Sequence, residues 1–149
     1  MSADAPTAPS RFEPYADRWL LLFMRAMALV YVYGAAVHVM NIAGVSGFDW
    51  FAAPLKWQVL DIVYLVVDAA VVIGVMARRR FAVLLFIAAA LSQIVLYTAL
   101  RGWILDVPPD FAFLPAEVGY LDRFVLFHAA TLVIFVLLVV RRRFGWGDA

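Results

Sequence analysis

Cysteine is absent from this chain of 149 residues, which excludes disulfides, iron–sulfur clusters, thiolate zinc sites and cysteine nucleophiles. Charged residues are also scarce, at 15% of the chain against about 25% in a typical soluble domain. The net charge of +1 argues against a nucleic-acid partner held by bulk electrostatics. There is no glycine-rich phosphate loop, Ser–His–Asp arrangement or metalloprotease motif. These absences point away from an enzyme without deciding the question.

Apolar residues, in contrast, make up 66% of the chain, and the mean hydropathy is +0.92. A soluble domain of this length could not bury so much apolar surface. Four apolar runs are each long enough to cross a bilayer as a helix, since lipid offers the backbone no other hydrogen-bond partners. They cover residues 26–44, 59–77, 82–100 and 121–140. The pattern predicts an all-α integral membrane protein: an antiparallel, up-and-down four-helix bundle over residues 18–143.

The basic residues indicate how this bundle is oriented. Residues 1–17 are predicted to be a disordered tail, and residues 144–149 a short end. If both termini face the cytoplasm, the inner side carries nine arginines: Arg11, Arg18, Arg25, Arg78, Arg79, Arg80, Arg141, Arg142 and Arg143. The outer side then carries three basic residues: Lys56, Arg101 and Arg123. By the positive-inside rule, we expect both termini in the cytoplasm, in a bacterial inner membrane.

Ionisable side chains within the predicted spans are the main functional signal. Each costs about 2.5–3.5 kcal/mol at a helix centre on insertion scales, so such residues usually have a purpose. The sequence places His38, Asp61, Asp68 and His128 there, together with the amide Gln93. His38, Gln93 and His128 each lie thirteen residues from the arginine that marks the inner boundary. At ~1.5 Å per residue, all three are expected at one depth, roughly 20 Å from that boundary.

The same residues fall on one face of each helix. Spacings of three and four residues connect small and polar positions, which are expected to face the bundle interior. The predicted faces are Tyr31, Gly34, His38 and Asn41; Gln58, Asp61, Leu65 and Asp68; Ala89, Gln93 and Tyr97; and Phe124, His128 and Thr131. Asp61 is expected near the outer boundary, within reach of Arg101.

Several interpretations of this polar level remain open. The side chains could serve only packing and interhelical hydrogen bonds. His38 and His128 could ligate one b-type haem, with Asn41, Gln93 or Thr131 accepting from their second ring nitrogens. His38, His128 and Asp68 could instead form a proton or metal site. Binding of a small molecule is the remaining alternative.

For the chain as a whole, we expect a non-catalytic subunit or accessory factor of a larger membrane complex. The expected partners are the lipid bilayer and another membrane protein or further copies of this chain. No cofactor is expected, and haem b is the alternative.

Overall fold

The computed structural model describes residues 13–144, which form five α-helices and no strand. The helices are α1 (Arg18–Ile42), α2 (Leu55–Met76), α3 (Phe81–Tyr97), α4 (Arg101–Leu105) and α5 (Pro115–Arg143). A short 3₁₀ turn, Pro109–Phe111, lies between α4 and α5. The all-helical prediction is confirmed for these residues.

Helix α1 begins eight residues before the predicted span, because the stretch from Arg18 to Arg25 is part of the same helix. The Asp17 side chain caps it by accepting a hydrogen bond from the Leu20 N–H at 2.7 Å. The helix ends at Ile42, and Gly44 follows with a φ of 71°, a left-handed conformation that glycine adopts without a Cβ clash.

The predicted N-terminal tail differs from the structure where the two overlap. Residues 1–12 and 145–149 lie outside the described part of the chain, but residues 13–17 contact the C-terminal end of α5 and the turn before α3. The contacts are an ion pair of Glu13 with Arg80, a bond from Arg142 to the Glu13 carbonyl, a bond from the Tyr15 hydroxyl to the Arg79 carbonyl at 2.9 Å, and an ion pair of Asp17 with Arg141 at 3.2 Å. Arginines of both triplets therefore gather at one end of the bundle.

Helices α2 and α3 form a hairpin that depends on one glycine. A Cβ at Gly74 would lie 2.7 Å from the Ala82 Cβ and 2.9 Å from the Phe81 ring. Only the missing side chain lets the helices approach so closely. Helix α3 ends at Tyr97, three residues before the predicted span ends.

Helix α5 begins six residues before its predicted span, at Pro115. Proline suits a first helical position, and the Glu117 carboxylate accepts a bond from the Leu114 N–H at 2.7 Å. The segment before it, with α4, packs over the start of α2, where the Trp57 indole donates to the Ile104 carbonyl at 3.1 Å. Much of the stretch between the predicted third and fourth spans is therefore helical.

The four longer helices form a ring in the order α1, α2, α3, α5, and the residue numbers in contact rise on one helix as they fall on its neighbour. Neighbouring helices thus run in opposite directions. Between α1 and α2, His38 meets Asp61 and Gly34 meets Asp68. Between α2 and α3, Tyr64 meets Ser92 and Gly74 meets Ala82; between α3 and α5, Tyr97 meets Phe124 and Phe86 meets Phe135. Between α1 with its N-cap and α5, Phe23 meets Phe135 and Asp17 meets Arg141.

Within residues 13–144, three helical segments are long and apolar enough to cross a membrane: α1, α2 and Glu117–Arg143 of α5. Helix α3 is equally apolar but has 17 residues, which is ~26 Å at 1.5 Å per residue. Large apolar side chains such as Leu29 and Ile73 are exposed on the outside of the bundle. In a helical protein with such segments, this surface suits contact with lipid.

Candidate functional site

A cavity of about 770 Å³ lies between the four longer helices. Arg101 is absent from its lining, but the other seven candidate site residues line it: His38, Asn41, Asp61, Asp68, Gln93, His128 and Thr131. The helix faces inferred from residue spacing therefore do point inward at these positions. The structure brings the polar level together around an open space rather than in a solid core.

The strongest polar contact in the cavity joins His38 to Asp61. The His38 Nδ1 lies 2.6 Å from the Asp61 Oδ1, a distance typical of a charge-assisted hydrogen bond. Asp61 is 9% exposed and also accepts a bond from the Asn41 amide at 3.4 Å. The pair fixes the His38 ring, whose other nitrogen, Nε2, lies 3.9 Å from the Asp68 Oδ2.

Asp68 is the second buried carboxylate, two turns further along α2 and 7% exposed. A Cβ at Gly34 would overlap its Oδ2, so glycine on α1 makes the room that this carboxylate occupies. Among the described residues, Asp68 has no hydrogen bond, and its one ion-pair contact is with His38. A carboxylate acts as an acceptor, and this one has acceptor capacity left for another molecule.

His128, on α5, is held differently from His38. Its Nδ1 lies 2.7 Å from the Phe124 carbonyl oxygen, four residues earlier in the same helix. Because a carbonyl can only accept, Nδ1 carries the proton, and a neutral ring then presents Nε2 as an acceptor. Thr131 donates to the His128 carbonyl at 2.9 Å, not to a ring.

In the structure, Arg101 and the two histidines have partners other than those considered from the sequence. Arg101 does not reach Asp61, because the end of α3 turns it toward α5, where it pairs with Asp122 and is partly exposed. The second ring nitrogens of the histidines do not bond to Asn41, Gln93 or Thr131; Asp61 and the Phe124 backbone take those places. Helix spacing places side chains on one face, but it does not determine whether a donor there bonds to a carboxylate, to an amide or to the backbone.

Two buried cavity groups have no hydrogen-bond partner among the residues that the structure describes: the Tyr31 hydroxyl and the Gln93 Oε1. Tyr31 itself is only 8% exposed. Leaving a buried polar atom unpaired costs about 1–3 kcal/mol, so such atoms in a cavity suit a bound molecule or water.

Some cavity residues were missed from the sequence. Tyr64 lines the cavity, whereas the predicted Leu65 does not. The Tyr64 hydroxyl shares a hydrogen bond of 3.1 Å with the Ser92 hydroxyl, and its ring stacks on that of His38. Tyr64 and Leu65 both fit the spacing between Asp61 and Asp68, so the helix period could not choose. Asp110 and Glu117 also line the cavity, from segments whose path the sequence pattern does not show.

The cavity is open on the side between α1 and α5. Side-chain contacts between these helices occur near the arginine end, as in Phe23 with Phe135 and Asp17 with Arg141. Further along, Tyr33 and Phe124 line the cavity and are nonetheless 73% and 51% exposed. The two helices therefore diverge, and the gap between them faces the surroundings of the bundle.

Metal binding gains no support from this arrangement. In residues 13–144, no group of three or more His, Cys, Asp or Glu side chains is placed to hold a metal ion. The polar groups of the cavity suit hydrogen bonding and charge pairing with an organic molecule. Comparison of the chain with protein-family models, with curated proteins and with solved structures found no match.

Proposed function

We propose that this chain is a small membrane protein that binds a small molecule in the cavity between α1, α2, α3 and α5. The observation that carries the proposal is the buried His38–Asp61 pair in the wall of a cavity of about 770 Å³. A bundle held together by packing alone would fill such a space, since protein interiors are close-packed. Sites for small molecules are mostly apolar cavities of this size with a few placed polar groups.

In this proposal the bundle crosses a bacterial inner membrane four times, with both termini in the cytoplasm. The support is the arginine-rich end of the bundle, where residues 78–80 and 141–143 meet residues 13–17. Positive charge favours the cytoplasmic side. The cavity then lies toward the outer side, and its gap between α1 and α5 faces lipid. Helix α3 has the shortest length that commonly spans, about 17 residues.

Cysteine labelling tests the proposed cavity, and a chain without cysteine is well suited to it. Gln93→Cys places a thiol in the cavity, and Leu91→Cys places one on the exposed outside of the same helix. In lipid nanodiscs, a small water-soluble thiosulfonate should react much faster with Gln93→Cys, because the thiolate that reacts needs a polar environment. Equal, slow labelling of both variants would contradict the proposal.

A bis-histidine haem is a second candidate, favoured by one observation. The Nδ1 atoms of His38 and His128 both have partners, an arrangement that leaves Nε2 as the ligating atom. The residues fit the group in this respect, although Asp68 also lies near the His38 Nε2. The visible spectrum of protein produced with ample haem decides it: six-coordinate bands that are lost in His38→Ala support haem, and colourless protein removes the candidate.

A role as a non-catalytic subunit or accessory factor remains a prediction that is compatible with ligand binding. Native electrophoresis of a mild-detergent extract tests it. Migration with other polypeptides is expected from that role, and migration as a single chain argues against it.

A further inference from the structure

The charge of the cavity lining is one-sided. Four carboxylates line it: Asp61 and Asp68, which are buried, and Asp110 and Glu117, which are exposed. No lysine or arginine occurs among the described residues of the lining. His38 offsets part of this charge through Asp61, but the Asp68 Oδ2 is 3.9 Å from the nearest histidine nitrogen and has no hydrogen bond within the described chain. The cavity therefore has an excess of negative charge.

A second, independent observation concerns buried polar atoms in the same cavity. Tyr31 lines the same cavity, is more than nine-tenths buried, and has a hydroxyl without a hydrogen-bond partner. Gln93 presents an equally unpartnered Oε1 from the opposite side of the ring of helices. These atoms, with Asp68 and the His128 Nε2, offer a ligand several acceptors and one hydroxyl.

The apolar part of the lining is mostly aromatic. Twelve Tyr, Phe and Trp side chains contribute to it, among them Tyr64, Phe86 and Tyr97. The faces of aromatic rings attract cations, and the attraction is stronger where the cation is removed from water. The aromatic walls and the Asp68 carboxylate thus favour the same ligand charge.

We propose that the cavity binds a lipophilic organic cation, with its positive centre beside Asp68 and its apolar groups against the aromatic walls. The inference rests on the proposed function and specifies its ligand class. A fatty acid or a phosphate ester would bring negative charge next to Asp61 and Asp68, which Coulomb repulsion disfavours. A neutral amphiphile would leave the charge of Asp68 uncompensated. A bare metal ion lacks the three ligands it needs among residues 13–144.

The gap between α1 and α5 suits such a ligand. Exposed Tyr33 and Phe124 flank it, so a molecule that is dissolved in the bilayer can enter sideways and meet aromatic surface first. Lipophilic cations concentrate in membranes because their charge is spread over or shielded by apolar groups. The gap therefore favours a lipophilic molecule and the site favours a cation, and a lipophilic organic cation has both properties.

Two probes of equal shape and opposite charge test the inference: tetraphenylphosphonium and tetraphenylborate. Binding of each to the full chain in phosphatidylcholine nanodiscs is measured by calorimetry, with empty nanodiscs as the blank. We expect saturable binding of the cation and none of the anion. Asp68→Asn should weaken cation binding at least tenfold. Asp106→Asn removes the same charge from an exposed position outside the cavity lining and should leave binding unchanged.

The outcomes separate this inference from the proposal it rests on. Binding of both probes with similar affinity would keep a ligand cavity and overturn its selection for cations. Absence of cation binding, with fast labelling of Gln93→Cys, would overturn the cation class alone. Equal loss in Asp68→Asn and Asp106→Asn would overturn the role of Asp68. Asp68→Glu keeps the charge, and restored binding there shows that a loss in Asp68→Asn is not a failure to fold.

Discussion

The His38–Asp61 pair allows a quantitative test of how the site is built. Replacing His38 with alanine leaves Asp61, 9% exposed, with the Asn41 amide at 3.4 Å as its remaining donor. Removing one partner of a buried ion pair typically costs about 3–5 kcal/mol, because the other charge stays buried without compensation. A neutral hydrogen bond between membrane helices averages ~0.6 kcal/mol. The distance of 2.6 Å favours the larger figure.

A double-mutant cycle measures the pair. The free energies of unfolding of His38→Ala, Asp61→Ala and the double variant are compared with that of the parent chain by titrating mixed micelles with a denaturing detergent. We expect His38→Ala to lower stability by about 3 kcal/mol. The double variant should lose less than the sum of the single losses, with a coupling of about 1–3 kcal/mol. The reason is that the double variant contains neither buried charge.

The ion pair of Arg101 and Asp122 supplies the control. It joins partly exposed side chains at the end of the bundle, so solvent screens it. Asp122→Ala should therefore leave stability nearly unchanged. A loss of only ~0.6 kcal/mol in His38→Ala, together with additive effects of the two single changes, would refute a buried ion pair.

Two further predictions concern the bundle. Gly74→Ala should destabilise the protein by about 1–3 kcal/mol through overpacking, since the new Cβ would lie 2.7 Å from that of Ala82; Gly119→Ala, which meets open space, is the matched control in the same unfolding titration. A periplasm-active phosphatase should be active when fused after residue 110 and inactive when fused after residue 79, and the reverse pattern would invert the proposed orientation.

Composition and residue spacing were sufficient for the helical class and for most of the candidate polar residues that line the cavity. An apolar chain with few charges must hydrogen-bond its backbone within each segment, and in lipid that requires helices. The spacing of His38 from Asn41, and of Asp61 from Asp68, places each pair on one helix face because 3.6 residues make one turn. The capping residues would also have predicted an earlier start of α5, because Pro115 and Glu117 are typical of a helix N-terminus and apolar periodicity does not detect them.

The partners of these side chains were decided by the tertiary structure. Arg101 pairs with Asp122 rather than Asp61 because α3 ends at Tyr97 and the chain turns toward α5. His38 bonds to Asp61 because antiparallel α1 and α2 meet in one register, with Gly34 opposite Asp68. The gap between α1 and α5 depends on how two helices far apart in sequence diverge. A helix period places a side chain on a face, but only the packing of several helices determines what that face meets and where space is left open.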